Sequence, residues 1–327
     1  MLQSKSGITA VVCMMAAMFS SVLAASEQFS FVALGDTTYA VPDDYPLYRS
    51  LIDTINASSP RFSIHVGDTM GLGDCGDEFQ LGQKKYFDSF DAPVIYAFGN
   101  NEWAECWRDN RGNHDPVVVL NSMRKIFFSQ PRSLGRNTLP LLRQSDGKEF
   151  SAYAENVRWH SQEVSFVTVN VVGASNNQLL REEHLWREFV DREKANVAWI
   201  DSGFSEAGKA GHKAIVIAMH SNIFLEGGDE EGGPFTAILN AVARGAQAFP
   251  GQVLVVHGHH HALIIDRPLR KWDNKAKTSV HDNVTRLQVY GWPDMKAVRV
   301  SVDTGTPWVF GFEPLYPLPS ISPDFQD

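Results

Sequence analysis

Five short apolar runs punctuate the chain: Phe31-Val32-Ala33-Leu34, Phe62-Ser63-Ile64-His65-Val66, Val94-Ile95-Tyr96-Ala97-Phe98, Ala214-Ile215-Val216-Ile217-Ala218 and Val253-Leu254-Val255-Val256. Each is too short for a helix and rich in β-branched or aromatic side chains, which predicts buried strands. Leu47 to Ile55 reads as a crossover helix. Val117 to Phe128 reads as another, because Val118, Leu120, Met123, Ile126 and Phe127 recur near the helical period. Phe166 to Val172 is a further strand leading into the polar loop Gly173-Ala174-Ser175-Asn176-Asn177, either a cleft wall or a plain turn. An amphipathic helix over Glu182 to Ser202 follows, with Leu185, Trp186, Phe189, Val190, Val197 and Ile200 expected on the core face. Arg286 to Tyr290, Ala297 to Val302 and Trp308 to Phe312 alternate in the manner of antiparallel strands. From Glu313 to Asp327, Pro314, Pro317, Pro319 and Pro323 suit neither a helix nor a central strand, so a surface tail is expected.

The chemistry sits where the runs stop. The first three end in Gly35-Asp36, Gly67-Asp68 and Gly99-Asn100, the fourth in Met219-His220, and the fifth in His257-Gly258-His259-His260-His261. Asp36, Asp68 and Asn100 are spaced by 32 residues each (68 − 36 and 100 − 68), the length of a strand, a crossover helix and a return strand. Parallel strands end along one sheet edge, where ligands bind in such folds. One Gly-Asp is ordinary turn chemistry. The ordered set of carboxylate, amide and imidazole donors reads as a metal centre.

In this order the motifs resemble the calcineurin-like metallophosphoesterases, whose pattern is Asp-x-His, Gly-Asp, Gly-Asn-His-Asp/Glu, a lone His and Gly-His-x-His. The matching residues are Gly35-Asp36-Thr37-Thr38, Gly67-Asp68, Gly99-Asn100-Asn101-Glu102, His220 and Gly258-His259-His260-His261. The resemblance implies an α/β fold of two packed mixed sheets flanked by helices. It implies one or two divalent transition metal ions (iron, manganese, zinc or similar), with Asp36, Asp68 and His261 holding one. Asp68 would bridge to a second, held by Asn100, His220 and His259. His260 would point away if the segment stays extended. The implied reaction is hydrolysis of a small phosphate ester through a metal-bound water.

Two positions depart from that pattern. Thr38 stands where the family has a ligating His, so one site is expected to be looser or filled differently. Tyr39 is either a phenolate donor, as a tyrosine from another strand is in the related purple acid phosphatases, or an aromatic packed beside the site. Asn101 replaces the His near the scissile phosphate; an amide hydrogen-bonds a phosphoryl oxygen but is no acid. The letters Gly112-Asn113-His114-Asp115 spell the family motif, but they follow a charged stretch, Trp107 to Arg111, and precede Pro116. The Gly99 register is therefore preferred, with His114 retained as a second catalytic candidate that could fold back. The run from Gly99-Asn100-Asn101-Glu102-Trp103 to Cys106-Trp107-Arg108 is similar to a branch of exported bacterial proteins.

Composition agrees with an exported globular protein. The 327 residues, 43% hydrophobic and 20% charged, suit one large domain over 25–327. Lys5 precedes an apolar run from Gly7 to Leu23 ending in Val22-Leu23-Ala24, which reads as a signal peptide over 1–24, cleaved after Ala24 or Ala25. No later stretch is long enough to span a bilayer, so a periplasmic or secreted protein is expected. Loss of Lys5 takes the net charge from −9 to −10, which excludes a nonspecific nucleic-acid surface and leaves a small phosphate ester as the expected partner. Of three cysteines, Cys13 leaves with the signal. Cys75 and Cys106 are expected to be joined in an oxidising compartment, stabilising the fold by roughly 3–4 kcal/mol in the chain-entropy model.

Two other functions remain to be separated from hydrolysis by metals. A catalytically weak or inactive metal-binding protein that recognises a ligand or partner accounts equally for Thr38 and Asn101. A Ser-His-Asp hydrolase needs a nucleophile elbow, and no Gly-x-Ser-x-Gly follows a strand.

Overall fold

The computed structural model describes residues 28–178, 182–225, 232–273 and 278–318. The expected signal peptide and the tail beyond residue 318 lie outside them. Among the described residues the strands form two sheets and a two-stranded ribbon. The five-stranded sheet runs in the order Val309–Leu315, Ala297–Asp303, Phe29–Leu34, Ser63–His65, Val94–Tyr96. The seven-stranded sheet runs Leu142–Arg143, Val157–Ser161, Val164–Thr168, Ala214–Ala218, Gln252–His257, Val284–Gln288, Ile264–Asp266.

The expected motif strands are parallel within their sheets: Phe29–Leu34, Ser63–His65 and Val94–Tyr96 in one, Ala214–Ala218 and Gln252–His257 in the other. Aromatic and branched side chains from the inner faces fuse the two sheets. Phe31 stacks on Phe62 with centroids 5.5 Å apart, and Phe166 meets Phe62 edge-on at 5.0 Å. The outer faces are covered by helices, giving the α/β/β/α layering. Tyr48, Leu51, Ile52 and Ile55 are the buried stripe of the Tyr45–Ala57 helix. Phe87 and Phe127, from the Asp77–Phe87 and Pro116–Phe127 helices, close on Tyr96 at 4.8 and 5.0 Å. The Glu183–Lys209 and Thr236–Ala248 helices cover the seven-stranded sheet, with Ile200, Phe204 and Ile238 packed among Ile215, Ile217 and Val255.

Three expectations change. The strand expected at Arg286 to Tyr290 pairs in parallel with Gln252–His257 and antiparallel only with Ile264–Asp266. Pro314 belongs to the last strand, at the edge of its sheet, where its missing N–H breaks no central ladder. In the long helix Trp186 is 46% exposed, because the buried stripe runs Leu185, Phe189, Arg192, Asn196, Trp199 and recruits two polar residues that hydropathy assigns to the surface.

Candidate metal centre

Asp36, Asp68 and Asn100 leave the edge of one sheet, and His220, His259 and His261 leave the facing edge of the other. The loops carrying the two aspartates interlock through their backbones. The Asp36 N–H donates to the Gly67 carbonyl at 2.9 Å, and the Thr37 N–H to the Asp68 carbonyl at 3.0 Å. Both aspartates adopt positive φ, 52° and 51°, a costly conformation of the kind that persists where surroundings enforce it. The Asp36 carboxylate is fully buried and accepts the His259 backbone N–H at 3.0–3.1 Å.

Two donor clusters share Asp68. In one, His261 Nε2 lies 3.4 Å from Asp36 Oδ1 and 3.1 Å from the Tyr39 phenol oxygen, which donates to Asp68 Oδ2 at 2.7 Å. In the other, His220 Nε2 lies 3.5 Å from Asp68 Oδ1, 2.9 Å from Asn100 Oδ1 and 3.2 Å from His259 Nδ1. Asp68, His220 and His259 alone bring three ligand atoms within 4.8 Å of one another. Donors about 2.0–2.2 Å from one ion must lie about 3 Å apart, which the second cluster fits, whereas the first runs as a chain of contacts from Asp36 to His261 to Tyr39 to Asp68.

The imidazoles are oriented from behind. His220 Nδ1 faces the Val66 carbonyl at 2.7 Å and His261 Nδ1 the Trp292 carbonyl at 2.7 Å, which leaves Nε2 of both rings toward the cluster. His259 and His261 have φ of 75° and 57°, so this segment is not extended and the alternation argument for His260 does not apply; His260 is nonetheless exposed. Gly173 closes the far wall: a Cβ there would stand 2.2 Å from His259 Cε1 and 2.4 Å from Asn100 Oδ1. The polar loop after the Val164–Thr168 strand is thus a wall of the cleft.

The cluster concentrates buried titratable groups whose shifts follow from burial and from one another. Burial and the neighbouring Asp36 charge push the Asp68 carboxyl upward. Burial and Asp68 push Glu102 up to about 7. Burial and His220 hold His259 down to about 3, keeping its ring neutral and ready to donate a lone pair. The Glu102 carboxylate accepts from the Thr69 N–H at 2.8 Å and the Tyr96 hydroxyl at 2.7 Å, anchoring the Asp68 loop to the Asn100 loop.

Thr38 and Asn101 are engaged elsewhere. The Thr38 hydroxyl donates to the Thr69 carbonyl at 2.6 Å. Tyr39 supplies a polar atom to that side instead, its ring lying over Gly71, where a Cβ would stand 3.0 Å from it. Asn101 Nδ2 donates to the Met70 carbonyl at 2.7 Å and to the Tyr39 oxygen at 3.2 Å. Its Oδ1 accepts from Asn100 Nδ2 at 3.1 Å and Arg111 at 2.9 Å. Every polar position of that amide is occupied.

His114 is not brought to the cluster. Its Nε2 lies 2.6 Å from Asp74 in a groove of about 530 Å³ lined by Trp107, Asp115, His184 and Leu185. The second copy of the motif is spent on starting a helix. Asp115 is the N-cap, accepting from the Val117 N–H at 2.8 Å and the Val118 N–H at 3.3 Å, and Pro116 takes the first helical position. Cys75 and Cys106 form a disulfide. Arg111, buried beneath Asn101, lies in the charged stretch that sequence reasoning passed over.

A family model for the calcineurin-like phosphoesterases matches residues 29–263. Similar solved structures include a dimetal phosphatase from Danio rerio, 12% identical over 89% of this chain and 99% of that one, with a TM-score of 0.48. Another is GAP50, the anchor in the inner membrane complex of Plasmodium, 11% identical over 89% of each chain, with a TM-score of 0.46. No curated protein matches the chain.

Proposed function

The chain belongs to the calcineurin-like phosphoesterase family, and on that premise we propose that it hydrolyses a small phosphate ester at a centre for two divalent ions. Asp36, Asp68, His261 and Tyr39 are the first donor set, and Asp68, Asn100, His220 and His259 the second. The observation that carries this reading is that Asp68 stands at coordination spacing with His220 and His259 and is joined through the Tyr39 hydroxyl to His261 and Asp36. Two ions bound there would polarise the ester and lower the pKa of an attacking water. The chain's own work is to keep His259 neutral, to orient His220 and His261 through their Nδ1 contacts, to fix Asp68 between the sets, and to close the cleft with Gly173.

One observation favours a slow enzyme or a ligand-binding protein of the same fold. With its amide fully engaged, Asn101 has no donor left for a leaving group, and His114 faces Asp74. Loss of a general acid costs roughly 10²–10⁴ in rate. The disulfide supports export, and among the described residues no helix is long and apolar enough to cross a membrane.

Elemental analysis of dialysed protein and two variants tests the ligand assignment. Asn100→Ala should lower metal content while Asn113→Ala leaves it unchanged; the opposite result overturns the motif register, and wild type without metal after reconstitution overturns the centre.

A further inference from the structure

We infer that Arg111 is a positioning residue that sets the donor polarity of the metal cleft, acting on Asn100 through Asn101. This rests on the two-ion reading above, because it concerns how one proposed ligand is oriented. An arginine side chain only donates hydrogen bonds, so the Asn101 amide atom it meets must be the oxygen. Arg111 Nη2 meets that atom at 2.9 Å, and Arg111 Nη1 reaches the Asn101 backbone carbonyl at 3.2 Å. The Asn101 nitrogen is then forced toward acceptors, which it finds in the Met70 carbonyl and the Tyr39 oxygen. Its oxygen also accepts Asn100 Nδ2 at 3.1 Å. With its nitrogen committed there, Asn100 presents Oδ1 to His220 and the second donor set. An amide turned the other way would offer N–H groups to a cation and bind nothing.

Arg111 is held for this task. It is 4% exposed, and Glu105 lies 3.3 Å from its Nη2. A bare positive charge this close to a cation site would weaken binding, so the two effects of Arg111 on metal affinity have opposite signs. Losing the charge alone would tighten binding, whereas losing the orientation loosens it. Groups that orient a ligand from behind typically change affinity by about 10–100-fold.

The test is calorimetric titration of Zn²⁺ into the metal-stripped mature chain, with melting temperature as the control for folding. R111M is expected to weaken one of two sites by about 10–100-fold and leave the other near wild type, while R111K, which keeps a donor, retains most of the affinity. N101A should weaken the same site, and R111M in the N101A background should weaken it no further, because the link has already been cut and only the loss of charge, which tightens binding, remains. R111M binding as tightly as wild type or tighter overturns the inference, as does an undiminished R111M effect in the N101A background. Should R111M fail to fold, N101A carries the test, and unchanged affinity in N101A overturns the link. A wild type that takes up no Zn²⁺ overturns the two-ion reading itself and this inference with it.

Discussion

At the scale of single residues, the centre departs from its family at Thr38 and Asn101, and the structure shows what each departure does. Thr38 turns to the Thr69 carbonyl, and Tyr39 places its oxygen beside Asp68 and His261. Burial and the charges of Asp68 and Asp36 push the phenol pKa up in the metal-free protein, so only an ion at that spot would favour phenolate. Loading the protein with ferrous iron and oxidising it in air should therefore give visible phenolate-to-iron charge-transfer absorption. Tyr39→Phe should abolish it; a colourless ferric wild type would leave Tyr39 as packing alone. Six of the seven proposed donors follow the ends of apolar runs, which made them legible in the sequence; Tyr39 stood there only as one of two alternatives. Arg111 was not, because it acts from a loop whose fold no periodicity reveals, and its partner is visible only once the 99–111 segment is folded.

At the scale of elements, strands were predictable where both faces are buried and polar residues are few, as in the five apolar runs. The Asp77–Phe87 helix and the Val157–Ser161 strand escaped the reading; the helix buries Gln80 and Gln83 beside Phe87, which blurs its apolar stripe. The core face of the long helix was misread at Trp186 because Arg192 sits in the buried stripe. There its guanidinium pairs with Glu188 at 2.6 Å and bonds the Asn170 and Asn176 carbonyls. The second Gly-Asn-His-Asp copy shows how the same letters do different work in another element. Asp115→Ala should cost about 1 kcal/mol by uncapping its helix, measured by denaturant unfolding, with metal content unchanged. Metal loss in that variant would place the second copy at the centre after all.

At the scale of the whole molecule, pH should act on stability through two opposed sets of groups. His65 and His257 are buried neutral, each held down to about 3 by burial, against an ordinary value of 6.5. The unfolded chain takes protons that the folded one refuses, so this stability is complete above about 6.5 and is lost as pH falls toward 3. Asp68 and Glu102 are shifted upward, so in the metal-free protein their contribution works the other way, destabilising as pH rises toward 7. Each bound ion would stabilise the fold by about 2.7 kcal/mol at a hundred times its dissociation constant, a gain that already contains the relief of that penalty. Melting temperatures with and without ions should accordingly differ most near neutrality and converge as acid protonates the ligands. A gap that persists undiminished at pH 4 would place the ions on other groups.

The central claim is that two ions sharing Asp68 make this fold a phosphoesterase. Phosphate release from an aryl phosphate, followed while a divalent ion is titrated into stripped protein, tests it most directly. The account predicts turnover, slow but measurable, that rises until two ions are bound per chain and then levels off. Protein that binds its ions in full and releases no phosphate above the uncatalysed rate would contradict it.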